Sequence, residues 1–98
     1  MKLGFFIINE THKAALLGLT RAALSRGWEV RWFFSDHGTQ LLADEEVAAH
    51  CLEVAISFCE YSAKKLNVPL EKLPKKIKKG TQLNNAFLHQ HCEKIVTL

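Results

Sequence analysis

Cys59 stands where two contrasting segments meet. Val54 to Phe58 is a short apolar, strand-like run, and Glu60-Tyr61-Ser62-Ala63-Lys64-Lys65-Leu66 continues at once with helical character. In a parallel α/β protein the carboxyl end of a strand is where ligands bind and reactions happen. A thiol placed there feels the partial positive charge of helix N-terminal amides, which favours thiolate, the nucleophilic form. Such a sulfur can attack a sulfane or other electrophilic sulfur and keep it as a persulfide. Glu60 works the other way, because an adjacent carboxylate disfavours a second negative charge. The plain alternative is that Cys59 is a small buried hydrophobe.

Two further segments carry groups that could assist. Asn9-Glu10-Thr11-His12 follows the first apolar run, and Asp36-His37-Gly38 follows the second. In a parallel sheet both would open on the same rim as Cys59. If the first and third strands flank a topological switch point, the first and third loops border one crevice. His12 and His37 could then move a proton. Asn9, Glu10, Thr11, Asp36, Gly38, Glu60, Tyr61 and Ser62 would line a substrate site. Each also has a simpler role: exposed loop histidines, an Asp-Gly turn, and helix capping by Ser62.

The remaining sulfur and imidazole groups are poorly arranged for a metal. His89-Gln90-His91-Cys92 places two histidines two residues apart, facing different directions on a helix, and His50-Cys51 are immediate neighbours. Zinc needs tetrahedral convergence, so no metal site is expected. Cys51 and Cys92 are expected to pack. The three cysteines are odd in number and contain no C-x-x-C pair, which favours reduced thiols in a cytoplasm over a disulfide framework.

The elements that must position these groups alternate. Leu3 to Ile8 predicts a strand buried on both faces. His12 to Arg26 has helical apolar spacing, with Thr11 or Asn9 as cap and Gly27 as stop. Trp28 to Phe34 predicts a second strand, with Val30, Trp32 and Phe34 on one face. Residues 44–51 predict a short helix, and Glu53 to Phe58 a third strand. Ser62 to Asn67 predicts another short helix, broken at Val68-Pro69. Residues 68–80 predict a lysine-rich connection. Gly80-Thr81 then caps a helix carrying Leu83, Ala86, Phe87 and Gln90, and Lys94 to Leu98 closes as a strand. The order β-α-β-(α)-β-α-α-β predicts a single α/β domain over residues 1–98, with a small, mainly parallel sheet of four to five strands and right-handed crossovers.

Composition narrows the function classes. The chain has 98 residues, nearly half of them hydrophobic, and a formal charge of +3. No apolar run approaches the roughly 18 residues of a membrane span. Met1 to Ile8 resembles a short signal core, but Asn9-Glu10-Thr11 interrupts it and no small-residue cleavage site follows, so neither export nor membrane binding is expected. There is no glycine-rich dinucleotide fingerprint and no P-loop, and no cofactor is expected. Residues 64–79 contain seven lysines against one glutamate, a local charge of +6. No aromatic or arginine interleaves with them, so a solvated loop or an acidic protein partner fits better than nucleic acid.

Taken in order, these segments resemble the DsrE/DsrF-like family of small sulfur-relay proteins over nearly the whole chain. Lys2 to Asn9 is similar to the family's first strand, Ala14 to Gly27 to its first helix, and Trp28 to Gly38 to a strand followed by an Asp/Gly turn. Phe58-Cys59-Glu60-Tyr61-Ser62-Ala63 resembles the strand-end cysteine followed by a helix, and Gly80 to Leu98 the closing helix and strand. The resemblance implies a flavodoxin-like three-layer fold, assembly as a homo-oligomer (trimer or hexamer) or hetero-oligomer, and in some members a cysteine that accepts sulfur and passes it to a protein partner. That role would fall to Cys59. Glu60 stands where relatives often carry a small residue, and the region between strands two and three is short. The reading from the sequence is therefore a sulfur carrier acting through Cys59. The alternative is a non-catalytic oligomeric module that holds a small anion or ligand at the strand C-terminal rim and docks a protein partner.

Overall fold

A computed structural model describes all residues, 1–98. Five strands form one all-parallel sheet: β1 (Lys2–Ile7), β2 (Glu29–Phe34), β3 (Ala55–Cys59), β4 (Lys78–Gly80) and β5 (Lys94–Thr97). Their order across the sheet is β4-β3-β2-β1-β5. Four α-helices connect them: α1 (Lys13–Ser25), α2 (Glu45–Ala48), α3 (Glu60–Lys65) and α4 (Gln82–His91). No helix is long and apolar enough to cross a membrane.

The layers follow from the alternation of side chains along each strand. Leu3, Phe5 and Ile7 of β1, Val30, Trp32 and Phe34 of β2, and Ile56 and Phe58 of β3 share one face. With Leu16 and Leu17 of α1, Val47 of α2 and Ala63 of α3 they belong to a cluster of 18 buried residues. The other face holds a much smaller cluster of Phe33, Cys59, Leu88 and Cys92 beneath α4. Chain order explains this asymmetry. From β1 to β4 each strand is laid beside its predecessor with its connection on the first face, whereas the connection from β4 to β5 crosses β3, β2 and β1 on the second. The three-layer parallel architecture is as expected; the strand order differs from the 2-1-3-4-5 of flavodoxin itself.

Several local expectations hold. Gly27 ends α1 with φ +76, a conformation that glycine adopts without a Cβ clash. Thr81 caps α4 through a full capping box with Asn84. The Trp32 indole, fully buried, donates its N–H to Thr20 Oγ1 at 3.1 Å and ties α1 to β2.

Others are corrected. The lysine-rich connection contains a fifth strand, β4, which reads as polar because it lies at the sheet edge, where lysines guard unpaired backbone groups. The turn after β2 extends into 3₁₀ structure over Asp36–Ala43. Thr11 and Asn9 do not cap α1: its N-cap is His12, and the Asn9 carboxamide oxygen instead accepts from Thr11 N and Oγ1, at 2.8 and 2.7 Å. The crevice between the first and third loops does not exist, because β2 lies between β1 and β3.

Candidate functional site

Cys59 is the last residue of β3 and the N-cap of α3. Pleat alternation sends Phe58 into the large core and Cys59 to the opposite face, against Phe33, Leu88 and Cys92. Only 6 % of the residue is exposed, but it borders a surface cleft of about 480 Å³. Glu60, Tyr61, Ser62 and Lys64 form one wall of the cleft, and Gly80, Thr81 and Gln82 form the other. The site is thus built from two strand ends, β3 and β4, and from the starts of the helices that follow them.

The electrostatics of the sulfur decide what it can do. Burial pushes the Cys59 thiol up. The Ser62 hydroxyl and backbone N–H, the Gln82 side-chain amide and the Tyr61 N–H pull it down, and together they hold it below the ordinary cysteine value. The side chain makes no capping hydrogen bond, so the α3 amides act on the sulfur as nearby dipoles. Gln82 is itself fixed, because its Nε2 donates to the buried Ser35 Oγ at 2.8 Å. The end of β2 thereby holds a donor that faces the end of β3.

The expected opposition from Glu60 is reduced by its surroundings. Its carboxylate lies 3.3 Å from Lys64 Nζ and 3.7 Å from Lys79 Nζ. Two cations beside that carboxylate offset its repulsion of a thiolate. Cys92 makes an internal comparison. It is 8 % exposed, close to Cys59, yet burial holds its thiol above the ordinary value because no donor set surrounds it.

Of the residues proposed for the site, Cys59, Glu60, Tyr61 and Ser62 come together. Asn9, Glu10, Thr11 and His12 form an exposed loop beyond β1, and none lines the cleft. Asp36 and His37 are also exposed and outside it; Asp36 has φ +50, and His37 Nε2 is 4.0 Å from its carboxylate. Gly38 is buried against the Ile7 carbonyl, where a Cβ would collide, so its small size serves packing. Lys64, Gly80, Thr81 and Gln82 line the cleft and were not anticipated. The sequence does signal Gly80-Thr81 as a helix cap, but not that a strand brings that cap to the rim.

The other imidazoles diverge. His50 Nδ1 donates to the Glu46 carbonyl and His89 Nδ1 to the Asn85 carbonyl, each at 2.9 Å, while His91 pairs with Glu29. No group of three or more metal-ligating side chains converges.

Comparison with known proteins supplies the fold's relatives. No family model and no curated protein matches the chain. Among solved structures, the ychN protein from E. coli is similar with a TM-score of 0.70 and 14% identity, over 100% of both chains. MTH1491 from Methanobacterium thermoautotrophicum, a protein of unknown function, is similar with a TM-score of 0.68 and 11% identity, over 99% of this chain and 98% of that one. The chain shares their fold from end to end. At these identities the likeness speaks for architecture alone.

Proposed function

We propose that the protein is a DsrE/DsrF-like sulfur carrier that accepts sulfane sulfur on Cys59. The observation that carries this reading is the donor set around Cys59, which favours thiolate in spite of burial. Attack is an exchange without net oxidation. The Cys59 thiolate forms a bond to the terminal sulfur of a donor persulfide, the donor's S–S bond breaks, and the donor leaves as thiolate. Ser62, Gln82 and the α3 amides then face the terminal sulfur of the Cys59 persulfide, which is itself an anion. Transfer onward repeats the exchange with an acceptor thiolate. The full-length likeness in fold to the ychN protein is consistent with this assignment.

The test is mass spectrometry after treatment with a small persulfide donor. The wild-type chain is expected to gain one sulfur atom at Cys59, and Cys59→Ser none there. A gain spread equally over Cys51, Cys59 and Cys92 refutes the carrier. The burial of Cys59 favours a second reading under that outcome: a structural thiol in a non-catalytic binding module, with the cleft holding a small ligand.

A further inference from the structure

A second cleft, of about 550 Å³, lies along the β4 edge. Phe58, Leu73 and Ile77 give it an apolar lining, and Lys75, Lys78 and Lys79 supply three cations against the single carboxylate of Glu71. Consecutive strand residues divide between the two clefts: Phe58 and Lys79 line this one, Cys59 and Gly80 the other. Of the seven lysines in residues 64–79, only Lys64 and Lys79 make ion pairs, both with Glu60. Lys65, Lys72, Lys75, Lys76 and Lys78 are exposed and make none. Unpaired surface cations create a field that draws an acidic surface and orients it. β4 is also an open edge, paired only with β3.

We propose that this edge cleft is the docking site for an acidic segment of a partner protein, one apolar side chain entering the cleft and flanking carboxylates meeting Lys75 and Lys78. Three features select this occupant. The apolar lining offers a place for an anchor side chain, which a bare lysine patch would not. The cations are all lysines, with no arginine fork for phosphate and no aromatic for base stacking. The cleft shares strands β3 and β4 with the Cys59 site, so a partner docked along this edge would be held near the rim where sulfur is exchanged. That last point rests on the carrier reading; the docking surface does not.

The experiment uses a fluorescent peptide of alternating glutamate and aspartate around a central leucine, read by anisotropy against the full chain. Binding is expected to weaken as salt is raised. It is expected to fall about tenfold in a Lys75→Glu, Lys78→Glu variant, and less in Lys75→Gln, Lys78→Gln, whose fold is checked by circular dichroism. Cys59→Ser should bind as wild type, so loss of the sulfur role and loss of docking are read separately. No binding, or equal binding by both lysine variants and wild type, overturns the proposal. So does tighter binding of a single-stranded oligonucleotide or of phosphatidylserine vesicles than of the peptide.

Discussion

At the scale of single residues the protein contains its own control. Cys59 and Cys92 share one small cluster and nearly the same low exposure, 6 % and 8 %, yet their thiols are driven in opposite directions. Burial alone predicts equal inertness for both. The donors around Cys59 predict that it alkylates faster than Cys92 at neutral pH, with its half-maximal rate at a lower pH than that of Cys92. Removing a donor destabilises the thiolate, so Ser62→Ala and Gln82→Leu should each move the Cys59 profile to higher pH and slow the reaction near neutrality. Site-resolved alkylation followed by mass spectrometry checks this, and superimposable profiles for the two cysteines would refute it. His12 and His37 lie outside the cleft, so His12→Ala and His37→Ala should leave the Cys59 profile unmoved.

At the scale of elements, the start of α4 carries more than its own helix. Thr81 accepts from Leu83 N at 3.1 Å, and Asn84 Oδ1 accepts from Thr81 N at 2.9 Å. The same turn presents Gly80, Thr81 and Gln82 to the cleft. Thr81→Ala should lower stability by about 1 kcal/mol, the usual cost of a lost N-cap, as measured by urea denaturation. Because the turn also holds Gln82 against Ser35, the variant should slow Cys59 alkylation as well. A stability loss without any change at Cys59 would separate the cap from the site. Leu83 and Phe87, on the same helix, are 60 % and 55 % exposed one turn apart. If the expected trimer or hexamer uses this face, Phe87→Glu will yield monomers by light scattering. Unchanged mass would show that this face mediates no assembly.

At the scale of the whole molecule, a cluster of surface charges ties α1 to the start of α2. Lys13 Nζ of α1 lies 2.7 Å from Asp44 Oδ2 and 3.1 Å from Glu46 Oε1, and Arg21 reaches Glu46 at 3.1 Å. Asp44 also caps α2, accepting from Glu46 N and Val47 N. The Lys13 ammonium is the main cause that holds the Asp44 carboxyl below its ordinary value of 3.8, against the opposing effect of burial. A carboxylate depressed in this way contributes its full share of stability above the unfolded value and loses it as pH falls through the folded one. Wild type should therefore lose stability below about pH 4. Asp44→Asn, which keeps a capping side chain, should show a shallower acid slope in urea denaturation; an unchanged slope would place the acid sensitivity elsewhere.

Most of the architecture is legible in the chain by itself, because its signals are local. The unbroken run Leu3–Ile8 marks a strand, although Ile8 itself lies past its end and is exposed; Val30, Trp32 and Phe34 alternate toward one core, and Gly27 and Thr81 punctuate helices through backbone chemistry that needs no distant partner. The prominence of Cys59, a thiol ending a strand and preceding a helix, is legible for the same reason. The edge strand was hidden: Lys78-Lys79-Gly80 has no apolar pattern, and only pairing with Ser57, Phe58 and Cys59 makes it a strand. Strand order decided the site. With β2 between β1 and β3, the loops bearing His12 and His37 fall outside the Cys59 cleft, and the β4 end takes their place with Gln82. Which loop meets which depends on the path of the chain across the sheet, a choice made by long-range packing that the spacing of residues does not encode.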